Sequence, residues 1–127
     1  MRKNLVSLWL VFLVFLAGCT TFYRASITLT GVVDVMMKNW ADMSVSGQTS
    51  PQIDAAVMQA HEKYREAALV AKRSLEAYKA GGSVDQYVAA FEAAKTAADG
   101  IFAIIRPLLA SHEAGKLQSQ LQKATLP

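Results

Sequence analysis

Between Pro51 and Leu108 the apolar residues keep one helical rhythm, and Gly81-Gly82 breaks it once. Ile53, Val57, Ala60, Tyr64, Ala67, Ala71, Ser74 and Tyr78 follow one another at alternating steps of four and three, and Leu75 widens the stripe. Val84, Tyr87, Phe91, Ala94, Ala98, Ile101, Ile105 and Leu108 repeat the pattern. Such spacing places each set on one face of a long helix. Helices over 51–80 and 83–114 are therefore expected. Thr49 or Ser50 caps the first, with Pro51 in its opening turn, where a missing N–H costs nothing. Ser83 and Gln86 have the spacing of a capping box for the second. A linker as short as Ala80-Gly81-Gly82-Ser83 folds two such helices back on each other. At 1.5 Å per residue the first is about 45 Å long.

The remaining segments fit an all-α chain. Val33, Met36, Met37 and Trp40 predict a helix over 31–44, while β-branched residues leave 27–29 open to an extended form. Ser44–Ser50 reads as a loop. Pro107 removes a helical hydrogen bond, so a kink or a break into a short fourth helix follows it. The tail, weakly helical over 116–125, carries Leu117, Leu121 and Ala124 and is expected to fray. Seventeen alanines between Pro51 and Gly115 favour close helix packing with little room between the hairpin's arms, except where Tyr64, Tyr78, Tyr87 and Phe91 widen it. Tyr64-x-x-Ala67-Ala68 and Tyr87-x-x-Ala90-Phe91 are alike, which two alanine-rich helices produce without a repeat architecture. The expected fold is a helical hairpin or three-helix bundle with a short fourth helix, forming one domain over 27–127.

The first residues have another purpose. Arg2 and Lys3 precede an apolar run from Leu5 to Leu16, which is shorter than the roughly 20 residues a spanning helix needs. The run ends in Leu16-Ala17-Gly18-Cys19, and Cys19 is the one cysteine of the chain. Residues 1–19 resemble the lipobox signal peptide of bacterial lipoproteins. The resemblance implies cleavage between Gly18 and Cys19, loss of residues 1–18, and a diacylglyceryl group with an N-acyl chain, palmitate being typical, on Cys19. It implies membrane lipid as a partner through Cys19 and no other cofactor. Thr20 stands where an Asp resembles an inner-membrane retention signal, so in a Gram-negative cell the expected location is the periplasmic face of the outer membrane. Several acyl chains on one residue hold a protein far more firmly than one. Residues 19–26 would form a short tether, with Phe22, Tyr23 and Arg24 either at headgroup level or packed on the domain.

Loss of Arg2 and Lys3 lowers the side-chain balance from +3 to +1. A nearly neutral domain whose Lys63, Arg65, Lys72, Arg73 and Lys79 are interleaved with Glu62, Glu66 and Glu76 argues against nucleic acid. His61-Glu62 and His112-Glu113 each lack the second histidine that a zinc-protease helix needs, and no metal site is expected. Neither a nucleophile elbow, nor a carboxylate pair across a cleft, nor a phosphate loop is present, so no catalytic residue and no enzyme is expected.

Two functions remain. The first is a structural or protein-interaction lipoprotein of the cell envelope. An envelope protein would be its partner, Met58, Leu69, Val70, Ile104 and Leu109 its candidate contact residues, and homo-oligomers are left open. The second is a module binding a small apolar molecule among Trp40, Tyr64, Tyr78, Tyr87, Phe91 and Phe102. Whether those rings bury one another or enclose a void of a few hundred Å³ distinguishes the two.

Overall fold

The computed structural model describes residues 22–126 in full and, of residues 2–21, only their place in the first helix. Four helices follow in order: α1 Arg2–Val45, α2 Pro51–Lys79, α3 Asp85–Ile105 and α4 Ser111–Lys123, with a 3-10 turn at Arg106–Leu108 between the last two. No strand occurs among the described residues, and the chain is a helical bundle.

The hairpin of α2 and α3 is its frame. Ser50 is extended and its hydroxyl accepts the Ile53 N–H at 3.2 Å, which caps α2 as the sequence suggested. At the other end Gly81 takes φ +100°, and the Gly82 N–H reaches back to the Ala77 carbonyl at 2.9 Å. A β-carbon on Gly82 would stand 2.9 Å from that carbonyl oxygen. This Schellman closure needs both glycines, the first for its backbone angle and the second for its close approach. The proposed capping box does not form. The Ser83 hydroxyl instead accepts from Asp85 N–H at 3.2 Å, and α3 starts at Asp85, two residues later than expected.

The apolar seams are buried as the spacing predicts. Val57, Tyr64, Ala71, Ser74 and Leu75 are buried on α2, and Tyr87, Phe91, Ala94, Ala98, Ile101 and Ile105 on α3. Each fully buried large side chain contributes about 1.5–3 kcal/mol. The third side of the core comes from α1, through Leu29, Val32, Val33, Met36 and Met43. Thus residues 27–29 are helical, not extended, and 22–26 of the expected tether belong to α1. The burial of Ala25, Leu29, Val32, Val33 and Met36 outweighs the weak local preference of the β-branched residues.

Pro107 breaks the helix. Helix α3 ends at Ile105, not near residue 114; the chain turns through Arg106–Leu108, and Leu109 is extended at φ −85°, ψ 149°. The fourth helix is longer than expected and does not hang free: Leu117, Leu121 and Ala124 are buried, and α4 packs on α1 and α3.

A polar knot ties α1 to α2. Asp54, in the first turn of α2, accepts from Trp40 Nε1 at 2.8 Å, from Thr49 Oγ1 at 2.8 Å and from Ser44 Oγ at 3.2 Å. These bonds, that of Thr49 above all, hold the Asp54 carboxyl below its ordinary range against the smaller opposing effect of desolvation.

Candidate functional site: an apolar groove between α1 and α2

Helix α1 rests on α3 and α4 and stands away from α2. The gap is a groove of about 730 Å³, open along one side. Its floor is Tyr87, Phe91 and Ala94 of α3; one wall is Tyr23, Ile27, Thr30, Gly31 and Asp34 of α1; the other is Tyr64, Arg65, Ala68, Leu69, Lys72 and Leu75 of α2. Its volume lies within the range of small-molecule sites, and its lining is mainly apolar.

Two tyrosine hydroxyls bridge the helices beneath the groove. Tyr87, fully buried, donates from its hydroxyl to the Phe22 carbonyl at 2.9 Å; its one proton so used, it accepts from Ser26 Oγ. Tyr64 donates to Thr30 Oγ1 at 3.3 Å. Burial raises the pKa of both phenols; the bonds to Ser26 and Thr30 oppose the shift, and the Asp34 charge adds to it at Tyr64. At neutral pH both hydroxyls are protonated, and neither is a base.

The six candidate aromatics separate. Tyr64, Tyr87 and Phe91 line the groove. Tyr78 is half-buried beside it, its ring 6.0 Å from Phe22 in an edge-on contact. Trp40 is engaged with Asp54, and Phe102 is buried with the Arg106 guanidinium 5.9 Å from its ring centre. Of the two aromatics before the domain, Phe22 packs on Tyr78 and Tyr87, whereas Tyr23 is exposed, with Lys79 Nζ 5.5 Å from its ring centre. The α1 wall was not anticipated because 19–26 read as a tether and 27–29 as open to an extended form, which left its start off the helix. Its signal was nonetheless present: Tyr23, Ile27, Thr30 and Asp34 keep steps of four, three and four.

Met58, Leu69 and Val70 are exposed, whereas Ile104 and Leu109 are half-buried. Val70 and Ile104 border a second groove of about 650 Å³ on the opposite side of the hairpin, lined by Ala56, Ala60, Ala67, Ala93, Ala97 and Gly100 among others. The alanines therefore do leave space along the outer face of the hairpin. Among the described residues, no helix is long and apolar enough to cross a membrane, and no group of three or more His, Cys, Asp or Glu is placed to hold a metal. Gly18 and Cys19 lie outside the residues whose side chains are described. No protein-family model, curated protein or solved structure matches the chain.

Proposed function

We propose that the chain is an envelope lipoprotein, anchored through Cys19, whose helical domain binds an apolar molecule in the groove between α1 and α2. The observation that carries this reading is the groove itself, an open, mainly apolar space of about 730 Å³ between α1 and α2, over a floor that Tyr87 and Phe91 close. Gly31 offers a way to test it. It lies on the groove wall, and a β-carbon there would meet nothing within 4 Å, so the space would admit a larger residue.

The test uses the full chain in phosphatidylcholine vesicles and a neutral long-chain alcohol carrying a photoactivatable diazirine in its tail. Labels on peptides containing Tyr64, Tyr87 and Phe91, lost in Gly31→Leu, are expected. Labelling confined to residues before Phe22, or unchanged by Gly31→Leu, would refute groove binding.

A protein-interaction role is favoured by a different observation. Met58 and Val70 are exposed apolar side chains on α2. Crosslinking in intact cells through those positions should then recover an envelope protein, and capture of background proteins alone would remove that reading.

A further inference from the structure

We infer that the groove between α1 and α2 takes a single-chain anionic amphiphile of the fatty-acid class, with its chain over Tyr87 and Phe91 and its carboxylate at Lys72 and Lys79. The inference rests on the apolar-groove reading and adds the charge and orientation of the occupant.

The argument is one of charge along an apolar channel. Helix α2 runs antiparallel to α1, since Thr30 meets Tyr64 while Tyr23 meets Lys79. The groove therefore has two distinct ends. Toward the Tyr23 end, Lys79 stands over the Tyr23 ring, Arg24 is exposed one residue further along α1, and Lys72 lines the wall midway between Tyr64 and Lys79; Glu76 is the acid among them on α2. At the other end the lining holds one acid and one base, Asp34 on the α1 wall and Arg65 on the α2 wall. The cationic excess thus lies at the Tyr23 end. Neither Lys72 nor Arg65 makes an ion pair among the described residues, so an incoming carboxylate displaces none. Between the ends the lining is mainly apolar, with Ser26 and Thr30 its hydroxyls on α1, and α1 from Tyr23 to Asp34 spans about 16 Å at 1.5 Å per residue. A channel of this form fits a flexible hydrocarbon chain with one anionic head. A dication or a polyol has no complement there. A neutral sterol-like body would use the floor and leave the lysines without a role.

The experiment compares two photoactivatable probes of equal chain length on the full chain in phosphatidylcholine vesicles at mildly alkaline pH. One is a diazirine fatty acid and the other the corresponding alcohol. The acid is expected to label the groove peptides more strongly than the alcohol, and excess laurate should compete. Lys72→Gln with Lys79→Gln should lower acid labelling about three- to tenfold, as expected for two partly exposed ion pairs, and leave alcohol labelling unchanged. Lys116→Gln, an exposed cation on α4 that does not line the groove, should alter neither. If acid and alcohol label the groove equally in the wild type and in the lysine variant, the anionic inference fails while the apolar groove stands. An equal loss of both labels in the lysine variant also overturns it, because the lysines would then be acting on the fold. If neither probe labels the groove, both readings fall together.

Discussion

Tyr87→Phe isolates the bond that pins α1 over the groove. The ring stays, so the apolar burial of a fully buried side chain is retained. Two hydrogen bonds are lost, one to the Phe22 carbonyl and one from Ser26 Oγ. A typical intramolecular bond contributes about 0.5–1.5 kcal/mol. The loss is softened on both sides. Phe22 lies within α1, so its carbonyl keeps the helical ladder bond. Ser26 can turn its hydroxyl to that same carbonyl four residues back, as Thr28 does to Arg24. The expected cost is about 1–2 kcal/mol, read as a lower urea midpoint with an unchanged slope by circular dichroism. In a chain of 127 residues that is about 4 °C of Tm for each kcal/mol. Tyr64→Phe, which removes one longer bond of 3.3 Å, should cost less. A Tyr87→Phe loss below about 0.3 kcal/mol would show the hydroxyl to be idle. One above about 3 kcal/mol, the range of ring truncation, would show that the core around the ring had rearranged. Either result refutes the reasoning.

The glycines divide by the space around them: Gly31→Ala should stabilise by about 0.8–1 kcal/mol through helix propensity alone. Gly82→Ala, with its new carbon 2.9 Å from a backbone oxygen, should cost about 1–3 kcal/mol in the same urea assay. The Asp54 carboxyl is held below its ordinary 3.8, so its stabilising share is complete above that value and fades as pH falls through the lower folded value; Asp54→Asn should flatten the acid limb of a stability–pH curve. Tyr64 and Tyr87 titrate above their ordinary 10.0, so the folded state binds more protons than the unfolded there, and stability is complete below pH 10.0 and lost as pH rises through the folded values. Ultraviolet titration should accordingly show Tyr64 and Tyr87 ionising above the ordinary phenol range. Cys19→Ala should leave a chain that takes up no palmitate label and keeps its signal segment; normal acylation of that variant would remove the anchor from the account.

The hairpin was legible because its signals are local and strong. Two seams at steps of four and three need only one register to be buried, and the Gly81-Gly82 pair satisfies the helix end in its own backbone. Pro107 marked the break for the same reason, since a missing N–H acts wherever the fold places it. The start of α1 was harder to read. Ile27 and Thr28 have weak helix preference, and what makes them helical is the burial of Ala25, Leu29 and Val32 on distant residues. That tertiary term has no local signature. The same gap hid half of the groove. Tyr64, Tyr87 and Phe91 stood out as rings, but ring type does not say which aromatic fills space and which borders it. Trp40 and Phe102 look alike in the sequence and are taken up by Asp54 and by the core. The loop Thr49 and the Trp40–Asp54 bond were not foreseen, because the hydrogen-bonding partner of an indole is set by a neighbouring helix.

Intermolecular nuclear Overhauser effects from dodecanol to the aromatic ring protons test the central claim most directly. The groove predicts contacts from the alcohol's methylenes to Tyr64, Tyr87 and Phe91, none to Trp40 or Phe102, and their loss in Gly31→Leu. Contacts to none of the three groove rings, or contacts that persist with Leu at position 31, would contradict it.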